Sequence, residues 1–179
     1  MLFRSPEHEV YLDEYYIDKF EVTNKQYSLC VNAGECSLPE IKDFYNYTNY
    51  ENQPVVYVDW EQAKTYCKWA ERDLPSEAQW EKAARGTDKR IYPWGNEEPN
   101  ENLANFYLTS PKSIFEVGSF PDGKSPYGVM DMAGNVWEWV NDWYGDDYYS
   151  ETKNKIKNPQ GPKSGDSHVF RGGDRKSVV

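Results

Sequence analysis

Residues 127–144 read "YGVMDMAGNVWEWVNDWY". Hard oxygens crowd the centre of this stretch. Asp131 and Glu138 carry carboxylates, Asn135 carries an amide oxygen, and Gly134 and Val136 offer main-chain carbonyls. No helical or strand period runs through Asp131–Val136, so those carbonyls are not committed to a regular ladder. Calcium takes about six to eight hard oxygens and accepts carboxylates mixed with carbonyls. A plainer reading fits the same residues: Asp131 and Asn135 cap turns, and Trp137 and Trp139 are core. Spacing by itself leaves both readings open.

The rest of the chain narrows the choice of chemistry. Its 179 residues suffice for one domain with a buried core, and nothing in them reads as a linker. The net charge of −10 argues against a general nucleic-acid binder, which would present a basic face. An acidic chain can bind cations, or can simply be a self-repelling soluble surface. No apolar run reaches the roughly 18 residues of a membrane span, and the first residues are too polar for a signal peptide. The compartment stays open between cytoplasm and export. The two histidines, His8 and His168, cannot make a three-histidine metal site. No His-Glu-x-x-His, P-loop or dinucleotide glycine fingerprint occurs. Cys30 and Cys36 bracket "CVNAGEC" and either bridge a turn or remain reduced, while Cys67 is left over.

Three helices share one kind of start. Thr23, Asp59 and Ser76 each precede a helix-forming run, and each is followed three residues later by a glutamine: Gln26, Gln62 and Gln79. The cap oxygen accepts from a free amide of the first turn, and the glutamine reaches back to the cap's own N–H. Gly34 and Gly86 are placed to close the first and third helices. Ala63, Tyr66, Cys67 and Ala70 share a face of the second helix, and Trp80, Ala83 and Ala84 a face of the third; both faces are expected in the core. "HEVYLDEYYIDKFEV" alternates as one or two strands, and "HVFRGG" reads as a strand running into a glycine pair. Between them, residues beyond Gly86 are dense in Pro, Gly, Asn and aromatics. They read as ordered loop held by rings with polar tips.

With these segments in view, the chain resembles the formylglycine-generating enzyme, or sulfatase-modifying factor, family. The motifs that carry the resemblance are "VTNKQY", "PVVYVDWEQAKTYCKWA", "LPSEAQWEKAARG", "YPWGNE", "VGSF", "YGVMDMAGNVWEWVNDWY" and "VFRGG", in that order. The resemblance implies an α+β fold, compact and C-type-lectin-like, with much irregular structure and bound calcium, and one domain over 1–179 that is incomplete at the C-terminus. It implies a calcium site at the side chains of Asp131 and Glu138 and the carbonyls of Gly134 and Val136. A first calcium site in many members matches Asn105 and Phe106 here, but the interval "YLTSPKSIFE" lacks the aspartate that usually completes it.

Active members oxidise a cysteine of a sulfatase to formylglycine, using oxygen and a copper ion on two cysteine thiolates. The two cysteines follow a motif that here reads "RGGDRKSVV", with Asp174 in place of a cleft serine and no cysteine after it. No catalytic residue is therefore expected, and copper is expected only in a complete relative. Cys30 and Cys36 suit a local bridge. Cys67 matches a cysteine that pairs with a terminal strand in many relatives. Trp137 and Asp174 fall at the substrate or ligand cleft. Two functions compete: a bacterial family member with a truncated catalytic tail, whose partner is a sulfatase, or a non-catalytic, calcium-stabilised binding or signalling module of the same fold. An iron-dependent branch of the family would need a further helical domain.

Overall fold

A computed structural model describes residues 9–45, 48–106, 114–151 and 156–173. In chain order the elements are β1 (Val10–Tyr11), α1 (Asn24–Asn32), α2 (Trp60–Trp69), α3 (Glu77–Arg85), β2 (Glu138–Trp143), α4 (Tyr148–Glu151), β3 (Ile156–Lys157) and β4 (His168–Arg171), with short 3-10 turns at Thr48–Tyr50 and Pro121–Gly123. β1 pairs in parallel with β3, and β2 pairs antiparallel with β4. Asp174 and the residues after it lie outside the described residues.

The three helix starts follow the sequence closely. Thr23, Asp59 and Ser76 are N-caps, and each forms a complete capping box with Gln26, Gln62 or Gln79. Gly86 closes α3 with φ 68°, and Gly34 follows α1 with φ 80°. α2 ends without a glycine; Glu71 takes the left-handed position there, with φ 58°.

The packing of the helices departs from expectation in one place. Trp80, Ala83 and Ala84 of α3 are buried against Val129, Met132, Val140 and Val169. Truncating Trp80 to alanine would cost about 3–5 kcal/mol. α2 has no buried residue. Its expected core face is half-covered because Ala63, Tyr66 and Cys67 line a cavity of about 680 Å³. That cavity separates the α3 core from a second cluster built on Tyr27, Cys30 and Cys36. Cys30 and Cys36 are bonded to each other, with Cα atoms 5.3 Å apart.

The N-terminal alternation yields less ladder than expected. Only Val10–Tyr11 joins a sheet. The residues after it run extended and make single contacts: Met130 N–H donates to the Lys19 carbonyl (2.9 Å) and Val55 N–H to the Val22 carbonyl (2.9 Å). Conversely, the second half is more regular than its composition suggests, since Glu138–Trp143 is a strand whose Glu138 faces Arg171 and whose Trp139 faces Phe170. Indole N–H groups then tie the layers together. Trp60 donates to the Val140 carbonyl (2.9 Å) and Trp139 to the Val58 carbonyl (3.0 Å), so large rings fill space while their tips satisfy backbone oxygens.

Candidate functional site

The loop from Asp131 to Glu138 is shaped by residues with unusual backbone. Asp131, Gly134 and Asn135 all have positive φ, at 59°, 90° and 50°. Gly134 is required twice over. A Cβ there would lie 2.5 Å from the Asn105 carbonyl oxygen, and its N–H donates to the Gly172 carbonyl at 2.9 Å. The "RGG" turn closes the other side: a Cβ on Gly173 would meet the Trp137 nitrogen at 2.3 Å. Two glycine-bearing turns thus pack backbone to backbone, which brings the end of β4 over the loop.

Inside this loop the polar atoms form one buried network. Asn135 is 1% exposed, and its amide donates to both carboxylate oxygens of Glu21, at 3.3 and 3.1 Å. Its side-chain oxygen accepts from Phe115 N–H (3.0 Å) and from the Asn105 amide (3.3 Å). The Asn135 N–H donates to the Asn105 carbonyl at 3.2 Å. Asp131 accepts from Gly118 N–H at 2.6 Å. Glu138 accepts from the Trp80 indole at 3.0 Å through one oxygen; the other, Oε1, is closed to solvent and has no hydrogen-bond partner.

Three carboxylates therefore share one water-poor region. Burial, chiefly, pushes Glu138 up to about 8, with the Trp80 N–H opposing and the Asp131 charge adding to it. Asp131 is raised by burial against the pull of Gly118. Glu21 is held well above the usual carboxylate range, first by burial and then by the charges of Glu138 and Asp131. Among the described residues, no basic side chain is among the groups acting on these three.

The geometry allows a test of what this region suits. A Cβ on Gly172 would sit 3.1 Å from Glu138 Oε1 and 3.6 Å from the Val136 carbonyl oxygen. The absence of a side chain at Gly172 leaves a small cradle where two hard oxygens meet the edge of the Trp80 ring, 3.3 Å from that Cβ position. Among the described residues, no group of three or more His, Cys, Asp or Glu side chains is gathered to hold a metal. A cation here would need main-chain carbonyls beside the carboxylates, and of those the sequence singled out, the Val136 carbonyl borders the cradle. That donor set is of the hard, mixed kind that calcium accepts.

The other sequence-chosen residues divide. Asn105 is 1% exposed and is drawn into the Asn135 network; Phe106 is buried with its ring edge-on to Trp94. Most of the interval that would complete a site there, 107–113, lies outside the described residues. Trp137 is half-exposed and packs edge-on against Phe170 at 4.9 Å between ring centres. With Glu21, Cys67 and Trp139, it lines the cavity of about 680 Å³. Glu21 is the residue that sequence reasoning missed. Its own segment does not announce it: Lys19, of the same parity, is exposed, and a carboxylate in such a stretch ordinarily faces solvent.

Known proteins place this arrangement. The model of the sulfatase-modifying factor enzyme 1-like domain matches residues 3–179. The serine/threonine-protein kinase pkn1 of Chlamydia caviae is 37% identical over 97% of this chain, which spans 30% of the kinase's length. The formylglycine-generating enzyme of Thermomonospora curvata is 37% identical over 70% of this chain and 46% of the enzyme. Among solved structures, Treponema denticola variable protein 1 shares the fold, with a TM-score of 0.76 at 24% identity over 94% of this chain and 76% of that one. PvdO from Pseudomonas aeruginosa aligns with a TM-score of 0.69 at 26% identity, over 88% of this chain and 67% of its own. With its match running through both glycine turns and the buried oxygen network, the chain belongs to the sulfatase-modifying factor enzyme 1-like domain family.

Proposed function

We propose that these 179 residues act as a non-catalytic, calcium-stabilised binding domain, of the kind that accompanies signalling proteins such as the chlamydial kinases. The observation that carries this reading is the state of the cysteines. Cys30 and Cys36 are bonded to each other, which leaves Cys67 as the chain's one free thiol. Copper-dependent cysteine oxidation on this fold needs two thiolates at one copper ion, and soft thiolate pairs are what select copper(I). A single thiol, pushed up to about 11 mainly by burial, does not supply that pair.

The calcium would be held by Asp131 and Glu138 with the carbonyls of Gly134 and Val136. Its contribution when bound is a divalent charge amid carboxylates on which, among the described residues, no basic side chain acts. A single calcium is proposed, because the interval "YLTSPKSIFE" that follows Phe106 offers no aspartate to complete a second site. The ligand of the binding domain would enter the aromatic-lined cavity, where Trp137 stands half-exposed; concave, largely apolar pockets of this size are typical of ligand sites.

The test is direct. The purified chain is loaded with copper(I) and incubated in air with a sulfatase peptide carrying its modifiable cysteine, and the peptide is weighed by mass spectrometry. No formylglycine above a copper-only control is expected; conversion by the chain would overturn the reading. A second reading, favoured by the identity with the Thermomonospora curvata enzyme, makes the chain part of a formylglycine-generating enzyme whose thiolates come from residues outside these 179. The same assay on the full-length gene product separates the two.

A further inference from the structure

We infer that Glu21 is a positioning residue for the proposed cation site, fixing the turn whose carbonyls would meet the ion. This rests on the calcium reading above and adds to it a residue from a remote part of the chain.

The argument starts from what Glu21 touches. It lies 114 residues from Asn135 in sequence, yet both of its oxygens accept from the Asn135 amide, and the nearby Val136 N–H acts on the same carboxylate, opposing the upward push of burial. Those two donors belong to the residues on either side of one peptide link in the turn. The N–H of Val136 lies in the same peptide plane as the carbonyl of Asn135, and the flanking carbonyls are those of Gly134 and Val136. Anchoring Val136 N–H and the Asn135 side chain together fixes how the planes on both sides are rotated. Asn135 sits at φ 50°, a conformation that a non-glycine residue holds only when its surroundings impose it. Glu21, 9% exposed, is a large part of those surroundings.

A second observation points to a ligand rather than to a purely structural knot. Glu138 Oε1 is closed to solvent, lacks a hydrogen-bond partner, and faces the cradle beside Gly172 with the Val136 carbonyl. Glu21 anchors the backbone that carries that carbonyl but uses its own oxygens on N–H groups. It therefore acts through the turn and is not itself a ligand. Partners of this outer kind typically change metal affinity about 10–100-fold when removed.

The experiment titrates calcium into EDTA-treated wild-type chain and into Glu21→Gln by calorimetry, with thermal unfolding of both in the presence and absence of calcium. Glutamine keeps the size but replaces one of the two accepting oxygens with a donating amide nitrogen. The expected result is a calcium Kd raised about 10–100-fold in Glu21→Gln, while its calcium-free melting temperature does not fall. An affinity within twofold of wild type overturns the inference. So does a fall in the melting temperature that is equal with and without calcium, because that marks a structural role alone. Should Glu21→Gln fail to fold, Glu21→Asp retains the charge and both acceptors one methylene further back; a raised Kd supports the inference and an unchanged one overturns it. A wild type that takes up no calcium sinks the cation reading and this inference with it, whereas a binding wild type with an unaffected variant sinks only the role of Glu21.

Discussion

Glu77 and Glu138 are both buried carboxylates beside β4, and the chain treats them oppositely. Glu77, in the first turn of α3, forms an ion pair with Arg171, accepts from the Tyr149 hydroxyl at 3.3 Å, and has its own N–H held by Asp142 at 2.8 Å. Glu138 stands directly across the ladder from that same Arg171, yet among the described residues its one hydrogen bond comes from the Trp80 indole. The α3–β4 corner supplies the countercharge for its carboxylate from within the chain. Among the described residues, no basic side chain does so for the 131–138 loop. Ionising a buried carboxyl without a partner is costly, which is why burial raises Glu138 to about 8. The same contrast runs through the helices. α3 carries five buried residues, whereas α2, with an equally complete capping box, has none and borders the cavity.

The largest effect should come from unbalancing the closed corner. Arg171→Met leaves Glu77 buried without its cation and should cost about 3–5 kcal/mol, read as a lowered urea midpoint. A loss under about 1 kcal/mol would mean that the α3–β4 corner and the 131–138 loop do not differ as described. Next is the loop backbone. Gly134→Ala meets the Asn105 carbonyl oxygen at 2.5 Å from a φ of 90° and should cost about 2–4 kcal/mol. Gly128→Ala, at φ 81° with nothing within 4 Å, should cost about 1 kcal/mol, and equal losses at the two glycines would show that loop packing contributes nothing special.

Glu138→Gln should behave unlike Arg171→Met. Replacing a carboxyl that burial pushes up to about 8 with a neutral amide should leave the calcium-free chain as stable as wild type or more so, while the calcium-induced rise in melting temperature disappears. For scale, calcium at 100 times its Kd would stabilise the wild type by about 2.7 kcal/mol. A variant that keeps the full calcium shift removes Glu138 from the donor set.

This division also decides how much was legible in the sequence. Local rules were enough for the three helices: cap, glutamine and closing glycine all lie within a few residues of one another, so no tertiary knowledge was needed at Thr23, Asp59 or Ser76. The oxygen cluster at 131–138 was legible for the same reason, being a local concentration of donors. Glu21 was not, because its role comes from a contact 114 residues away and a carboxylate in an alternating segment ordinarily faces solvent. The half-cover of α2 was equally hidden. Periodicity says which face turns inward, but not whether anything fills the space it faces. The strand at Glu138–Trp143 was masked by its neighbours, since the glycine turns before it break the pattern that its own residues continue.

The smallest effect concerns Cys67, which belongs to the open region. Its thiol lines the cavity, and burial, with the Asp73 charge adding to it, pushes it from 9.0 up to about 11. The sign follows from burial disfavouring the thiolate. Below pH 9 the thiol is protonated in folded and unfolded chains alike, and its burial carries no ionisation penalty. Between pH 9 and about 11 the unfolded chain gives up the proton first, so stability falls as pH rises through that window. Alkylation is the cleaner readout, because tyrosines titrate in the same alkaline range. At pH 8 the folded chain should react with iodoacetamide far more slowly than the urea-unfolded chain, and its rate should climb about tenfold per pH unit until the thiol ionises. Fast labelling at pH 8 would mean that the cavity is wet and the thiol fully solvated there. The comparison would then have to be redrawn, with the open region being surface rather than uncovered interior.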